Sequence, residues 1–167
     1  FTPLDGIIMG TRCGAVDPSA VTYVMGKHGF TPHEMSEYMN KKSGFLGVSG
    51  ISSDNRDVCN AIKEGDERAA LTLALVTYQI KKYIGSYAAL MNGLDAVVFT
   101  AGIGENNPHL RELVCEDMEF FGIKFDKVIN DATPHAGEAT KLSAADSKVA
   151  VYVIPTNEEL VIAKDTA

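Results

Sequence analysis

Two glycines after an apolar segment are the first candidates for chemistry. Residues Ala96 to Thr100 form a β-branched and aromatic run that is typical of a buried parallel strand. Gly102 and Gly104 follow at once, and Asn107-Pro108 then begins a helix, with Asn as N-cap and Pro at the first helical position. A glycine turn below a helix N-terminus presents backbone N–H groups and the positive end of the helix dipole. The pattern predicts a phosphate-binding turn, although an ordinary tight turn has the same sequence.

A dinucleotide-binding motif is an alternative interpretation of these glycines. Asp126 follows about 20 residues later, where such motifs place an acidic residue. However, Asn107 occupies the position of the third glycine, and the segment before Asp126 is only about four residues long, which is short for a strand. The pattern therefore favours a phosphate-binding protein of another kind over an oxidoreductase.

The first half of the chain is predicted to be helical. Start signals lie at Asp17-Pro18, at Thr31 with Glu34 as a capping box, and at Asp54, whereas Gly44 to Ser53 is predicted as a glycine- and serine-rich loop. A long helix should run from Asp66 to about Asn92-Gly93. Its apolar stripe predicts core packing or, alternatively, a dimer seam, and consists of Leu73, Val76, Ile80, Tyr83, Tyr87 and Leu90.

The second half is predicted to alternate strands and helices. After the first strand we expect a helix over Pro108–Phe121, a short strand over Gly122–Asp126 and a surface excursion over Asn130–Ala145. Lys148–Ile154 predicts a second strand, and Thr156 to Glu159 a capping box that begins the last helix. The result is an α/β fold whose two strands need neighbours. Because the chain also begins without Met, we expect further strands upstream.

Composition excludes several classes of function. The 167 residues are 46% hydrophobic and 22% charged, as in one folded domain. A net charge of -7 argues against nucleic-acid binding, which needs a basic surface. The apolar segments are too short or interrupted to span a membrane. Three cysteines without metal-type spacing, Cys13, Cys59 and Cys115, suggest reduced thiols and a cytoplasmic protein.

Four segments together resemble the acetate kinase (acetokinase) family. They are similar in order and spacing to its arginine loop, central loop, nucleotide loop and C-terminal motif: Met9–Pro18, Asn40–Asp57, Phe99–Asn106 and Ile154–Glu159. The resemblance implies the C-terminal nucleotide-binding domain of such a kinase, lacking its first strands and the N-terminal domain. The fold would be the helix-rich part of a ribonuclease-H-like (actin-like ATPase) domain, with at least two parallel strands. The helix in 156–167 would pack towards the missing domain.

The resemblance also implies roles for individual residues. Arg12 would stabilise the transition state, since its planar fork can hold the oxygens of a migrating phosphoryl group. Glu158 would bind Mg²⁺, or Mn²⁺, while Glu159 would cap its helix. The ATP/ADP-contacting residues would be Asp54, Asn55, Arg56, Gly102, Ile103, Gly104, Glu105 and Asn106. No family motif includes His28, His33, His109 or His135.

The implied reaction is the reversible formation of acetyl phosphate and ADP from acetate and ATP, by direct in-line transfer with magnesium. A homodimer is also implied, with no nucleic-acid or membrane partner. Propionate kinases share the Gly-Ile-Gly-Glu-Asn sequence, so propionate is an alternative substrate. A non-catalytic nucleotide-binding or dimerisation module is the alternative from another class. The family's catalytic aspartate and histidine and its acetate pocket would lie upstream of this sequence.

Overall fold

A computed structural model describes residues 2–166 of the chain, except the side chains of Glu158 and Val161, and divides them into two compact units. The first unit extends to Lys82 and the second begins at Tyr83. The first contains α1 (Pro18–His28), α2 (Pro32–Lys41), α3 (Gly44–Ser49), α4 (Asn55–Lys63) and most of α5 (Glu67–Met91). The second contains β1 (Ala96–Phe99), α6 (Ala101–Asn106), α7 (Pro108–Cys115), α8 (Lys127–Asp131), β2 (Thr140–Lys141), β3 (Ala150–Val153) and α9 (Glu158–Thr166).

The predicted starts of α1 and α2 are confirmed. Asp17 caps α1 by accepting a hydrogen bond from the backbone N–H of Ser19 at 2.7 Å. Thr31 and Glu34 form a complete capping box: the Glu34 N–H donates to Thr31 Oγ1 at 3.3 Å, and Glu34 Oε2 accepts from the Thr31 N–H at 2.8 Å. Local sequence determines both starts, because each cap satisfies backbone donors that the helix itself leaves free.

The prediction of a loop from Gly44 to Ser53 is wrong for its first half. Residues Gly44–Ser49 form α3, which buries Phe45 and ends at Gly50 in the left-handed region. Two glycines in six residues give this segment low helix propensity. The helix therefore depends on contacts with other parts of the first unit.

Helix α5 is confirmed as a long helix of 25 residues, but its apolar stripe is only partly core. Leu73 and Val76 are buried, whereas Tyr87 and Leu90 are exposed by 56% and 80% of their surfaces. The stripe thus packs inside the first unit near its N-terminal end and is open to solvent towards its C-terminal end. Among the described residues, no helix combines the length and apolarity needed to cross a membrane.

The second unit is organised by a three-stranded sheet of order β1-β3-β2. Strands β1 and β3 are parallel, with Ala96 opposite Ala150 and Phe99 opposite Val153. Val151 and Val153 are fully buried, and Phe99 is 7% exposed. The two predicted parallel strands are confirmed, and the third strand, β2, runs antiparallel to β3.

Two expectations for the segments around this sheet are wrong. The segment from Asn130 to Ala145 is not simply a surface excursion, because it contains β2 and the fully buried Leu142. The segment from Gly122 to Asp126 contributes isolated bridges, from Ile123 to Val149 and from Phe125 to Ser143, rather than a strand. Each segment buries an apolar side chain, Leu142 in the first and Ile123 in the second, although polar residues surround it in the sequence.

The predicted helix over Pro108–Phe121 is interrupted. Helix α7 ends at Cys115, and a short 3₁₀ helix follows at Glu119–Phe121. Asp117 between them has φ 56°, in the left-handed region that ends helices. The break allows Met118 to be buried beside the end of α7.

Candidate functional site

The loop that carries Arg12 is held by the N-terminus of α3. Backbone N–H groups of Ser43, Phe45 and Leu46 donate to the carbonyl oxygens of Thr11, Met9 and Gly10, at 2.9, 2.9 and 3.0 Å. The first turn of a helix has free N–H donors, and here the loop satisfies them. These bonds explain why a glycine-rich segment is helical, and they give the arginine loop a defined backbone conformation.

Gly44 is required for this arrangement. Its φ is +61°, and a Cβ built there would lie 2.0 Å from the Met9 carbonyl oxygen and 2.7 Å from that of Arg12. No side chain can occupy that space without moving the backbone of the arginine loop. The sequence identifies a glycine-rich segment, but only the folded structure distinguishes Gly44 as the position where a side chain would collide with the arginine loop.

The Arg12 side chain is half-buried and weakly bound by its neighbours. Within the described residues, its guanidinium makes one hydrogen bond, a long contact of 3.9 Å from Nη1 to Met9 Sδ. A thioether sulfur is a weak acceptor, so the planar fork keeps its capacity to bind an anion. This geometry is compatible with the role that the family resemblance implies for Arg12.

Asp54 begins α4, as predicted, and it also binds a neighbouring side chain. Its Oδ1 accepts the Arg56 N–H at 2.8 Å, and its Oδ2 accepts Arg56 Nη2 at 2.6 Å. These bonds to Arg56 lower the pKa of the Asp54 carboxyl to about 2. The segment lies beside the arginine loop, since a Cβ on Gly10 would be 2.9 Å from the Ser53 carbonyl oxygen.

The sequence from Gly102 to Asn106 is a short helix rather than the glycine turn that was predicted. Helix α6 begins directly after β1, and Ala101 at its start has φ 58°. The sharp turn therefore falls on Ala101, one residue before the first glycine. Gly104 has another function, because a Cβ there would lie 3.3 Å from the Phe99 backbone, where the helix crosses the end of β1. Asn107 caps α7 as predicted, accepting the Leu110 N–H at 2.9 Å.

Arg111 is the residue of this region that sequence reasoning missed. It is fully buried in α7, and its Nη1 donates to the carbonyl oxygens of Gly104 and Glu105 at 2.8 and 2.9 Å. Its Nη2 donates to the Thr133 carbonyl at 2.6 Å, and its Nε to Asn130 Oδ1 at 2.9 Å. Arg111 therefore holds the last turn of α6 from the buried interior of the second unit.

The acceptors around Arg111 are unusual for a buried charge. Among the described residues they are three carbonyl oxygens and one amide oxygen, with no carboxylate. Burial lowers the pKa of the guanidinium, although an arginine remains charged. The two acceptors on α6 belong to its C-terminal end, where the helix dipole favours a cation. The sequence gives only a weak indication that Arg111 is buried. It precedes the buried Val114 and Cys115 by three and four residues, which places it on the same face of α7.

Two further contacts involve the α6 segment. His135 Nδ1 lies 2.9 Å from Asn106 Oδ1, so a histidine without a predicted role touches the predicted nucleotide loop. Glu105 Oε1 accepts both the backbone N–H and the hydroxyl of Thr156, at 2.8 and 2.7 Å. The segment before α9 is thereby joined to α6.

The start of α9 differs from the predicted capping box. Asn157, rather than Thr156, caps the helix by accepting the Leu160 N–H at 2.9 Å, because Thr156 is bound to Glu105. The side chain of Glu158 lies outside the described residues, so its metal-binding role remains a prediction. Within the described part of the chain, no three His, Cys, Asp or Glu side chains converge on a common point. Magnesium bound to a nucleotide commonly takes only one or two protein carboxylates, so such a cluster is not required.

The fold and these loops define the class of the protein. The crystal structure of Porphyromonas gingivalis acetate kinase matches it with a TM-score of 0.93 and 52% identity, over 99% of this chain and 41% of that one. The crystal structure of a propionate kinase from Francisella tularensis matches with a TM-score of 0.88 and 37% identity, over 98% and 41%. The chain thus has the α/β fold of the sugar kinase and actin class.

Sequence comparison specifies the family. The profile of the acetokinase family matches residues 1–164, and the chain belongs to that family. The acetate kinase of Halothermothrix orenii is 52% identical over 167 residues, which are all of this chain and 41% of that protein. The chain therefore spans about two fifths of the length of such relatives. These matches do not specify which part of the relatives it corresponds to, so the C-terminal placement remains a prediction.

Proposed function

We propose that the protein carrying this chain is an acetate kinase, which transfers the γ-phosphoryl group of ATP to acetate and reverses the reaction. The observation that carries the proposal is the family match over residues 1–164, together with more than 50% identity to proteins named acetate kinase. In the forward direction a carboxylate oxygen of acetate forms a bond to the γ-phosphorus, and the bond to the β–γ bridging oxygen breaks. The products are acetyl phosphate and ADP, and no covalent enzyme intermediate is needed.

Arg12 is the proposed transition-state stabiliser. Charge in such a transition state is spread over the equatorial oxygens of the phosphoryl group, and a preorganised guanidinium is well suited to it. The proposal is supported by the loop that carries Arg12, whose backbone is fixed by α3, and by the weak contact of its side chain with Met9.

The proposed nucleotide contacts form two groups, each described within its own unit. In the first unit they are Asp54, Asn55 and Arg56 at the start of α4, where Arg56 is 86% exposed and available to a ligand. The second group is in α6, at the carboxyl end of β1, and consists of Gly102, Ile103, Gly104 and Asn106, whereas the carboxylate of Glu105 is bonded to Thr156. The crevice outside the carboxyl ends of parallel strands is the usual ligand site in open α/β sheets.

Glu158 is the proposed protein ligand of a nucleotide-bound magnesium ion. Such an ion would neutralise charge on the phosphate oxygens. Helix α9 would position Glu158 for this role, because the helix begins at that residue, directly after its cap Asn157.

Propionate is the second candidate substrate, favoured by the structural match to a propionate kinase. The test is an acyl-hydroxamate assay on the intact protein, with ATP and magnesium and with either acetate or propionate. We expect formation of acyl phosphate with a larger kcat/KM for acetate. A preference for propionate would make the protein a propionate kinase, and failure to form either product would contradict the proposal.

The remaining parts of the proposal concern assembly and compartment. A homodimer is supported by the solvent-exposed apolar side chains near the C-terminal end of α5, Tyr87, Leu90 and Met91. A cytoplasmic location is proposed from the sequence, whose three cysteines show no metal-type spacing. Sedimentation of the intact protein over a range of concentrations tests the first, and fractionation of the source cells tests the second.

A further inference from the structure

Two loops begin side by side at one end of the sheet in the second unit. Phe99 and Val153 are the last paired residues of the parallel strands β1 and β3. The backbone N–H of Ile154 then donates to the Phe99 carbonyl at 2.9 Å, which continues the pairing by one step. The residues after β1 form α6, and residues 154–157 after β3 lead to α9. We call residues 154–157 the post-β3 segment.

One carboxylate connects the two loops. Glu105 Oε1 accepts both the backbone N–H and the hydroxyl of Thr156, at 2.8 and 2.7 Å, across 51 positions of sequence. Hydrogen bonds to an ionised acceptor are stronger than neutral ones. The two bonds from Thr156 lower the pKa of the Glu105 carboxyl, so it is ionised and acts only as an acceptor.

Glu105 is itself anchored from the opposite side. Its carbonyl oxygen accepts a hydrogen bond of 2.9 Å from the buried guanidinium of Arg111. Thr156 immediately precedes Asn157, which caps α9. A continuous set of contacts therefore runs from the core of the second unit, through Glu105, to the start of α9.

We propose that Glu105 is a positioning residue, which keeps the post-β3 segment at a constant position relative to α6 when nucleotide binds. The inference deepens the proposed function, on which it rests for the identity of the ligand. It replaces the direct nucleotide contact that the family resemblance implies for Glu105. An ionised carboxylate has no proton to donate to a phosphate oxygen and repels its charge, whereas its two bonds to Thr156 are already formed.

Amide hydrogen exchange of the intact protein tests the connection without reference to activity. The variants are Glu105→Ala and Thr156→Val, with Thr156→Ser as the conservative control, because serine keeps both donors. Glu119→Gln changes an exposed carboxylate elsewhere in the second unit. We expect Glu105→Ala, which removes both hydrogen bonds, to increase exchange in the post-β3 segment by roughly two- to fivefold, the scale of an exposed charged contact. Thr156→Val keeps the backbone N–H donor and should give a smaller increase. Thr156→Ser and Glu119→Gln should match the wild type.

The double variant and the kinetics separate positioning from direct binding. Glu105→Ala/Thr156→Val should exchange no faster than Glu105→Ala alone. The KM for ATP should rise equally in these two variants and less in Thr156→Val, with little change in the KM for acetate. Unchanged exchange in Glu105→Ala would overturn the proposal. So would a loss of ATP affinity in Glu105→Ala together with a normal ATP affinity in Thr156→Val, because Glu105 would then bind the nucleotide itself. If exchange behaves as expected but the wild type phosphorylates no carboxylate, the connection stands and the proposed function fails.

Discussion

Arg111 Nε lies 2.9 Å from Asn130 Oδ1, and both side chains are fully buried. Asn130 in turn donates from Nδ2 to the Pro108 carbonyl at 3.0 Å, at the start of α7. The pair therefore joins α7 and α8, while the other nitrogens of Arg111 bind the last turn of α6. A buried polar pair of this kind is stable only while each member keeps its partners.

Replacement of Arg111 should strongly destabilise the protein. In Arg111→Met the carbonyls of Gly104, Glu105 and Thr133 lose a buried donor, and we expect a loss of about 3–5 kcal/mol in the free energy of unfolding, measured in urea. Arg111→Lys should restore only part of it, because an ammonium cannot span acceptors on three segments. The control, Arg56→Met, removes only an exposed ion pair with Asp54 and should lower the unfolding midpoint much less. Equal midpoints for the two Met variants would contradict this account of Arg111.

Gly44 and Gly26 form a matched pair for testing the arginine loop. Gly44→Ala places a Cβ 2.0 Å from the Met9 carbonyl at a positive φ, so it should lower stability and displace the loop that carries Arg12. Gly26 lies within α1 with no atom within 4 Å of its Cβ position, so Gly26→Ala should stabilise by about 0.5–1 kcal/mol. Thermal unfolding of both variants is the measurement. A neutral Gly44→Ala would show that the loop does not depend on this close approach.

Arg12 should affect turnover more than substrate binding. In the intact enzyme we expect Arg12→Ala to lower kcat by roughly 10²–10³, the usual scale for loss of one transition-state donor. Arg12→Lys should recover little of the rate, since it lacks the planar fork. Steady-state kinetics with acetate and ATP measures this. A change in both KM values with normal kcat would assign Arg12 to ground-state binding instead.

The hydrogen bonds between Arg56 and Asp54 should make the free energy of unfolding depend on pH. The pKa of the Asp54 carboxyl is about 2, below its ordinary value near 3.8, because Arg56 donates hydrogen bonds to it. A carboxyl with a lowered folded-state pKa stabilises the fold above its unfolded pKa, and this contribution disappears as the pH falls. We therefore expect it to be complete above about pH 4 and lost towards about pH 2. Asp54→Asn and Arg56→Met should both reduce the dependence of the unfolding midpoint on pH in that range. An Asp54 pKa near 3.8, measured by NMR, would contradict the pairing.

Glu158 and Glu159 should differ in their dependence on magnesium. If Glu158 binds the metal, Glu158→Ala raises the magnesium concentration for half-maximal rate. Glu159 lies in the first turn of α9, where a carboxylate favours the helix dipole, so Glu159→Ala should act on stability instead. Magnesium titrations of the rate compare the two variants directly. The same shift in both would remove the distinction between a metal ligand and a helix-terminus residue.

Much of the fold follows from local sequence. Helices α1, α2 and α4 begin where Asp17, Thr31 and Asp54 supply caps, because a cap bonds to N–H groups within three positions of itself. The strands β1 and β3 were evident as short apolar, β-branched runs between turn formers. The family was recognisable from four segments in register, which makes the acetokinase fold predictable without coordinates.

Tertiary structure decided the features that depend on distant partners. Helix α3 forms from a glycine-rich segment because the carbonyls of Met9, Gly10 and Thr11 accept its first N–H groups. Asn157 caps α9 in place of the predicted Thr156, because Glu105, 51 residues earlier, binds Thr156. Arg111 is buried because folding brings carbonyls of α6 and the Thr133 turn to its guanidinium. A pattern within a few residues specifies a helix or a strand, whereas hydrogen bonds across tens of residues arise only when the chain has folded.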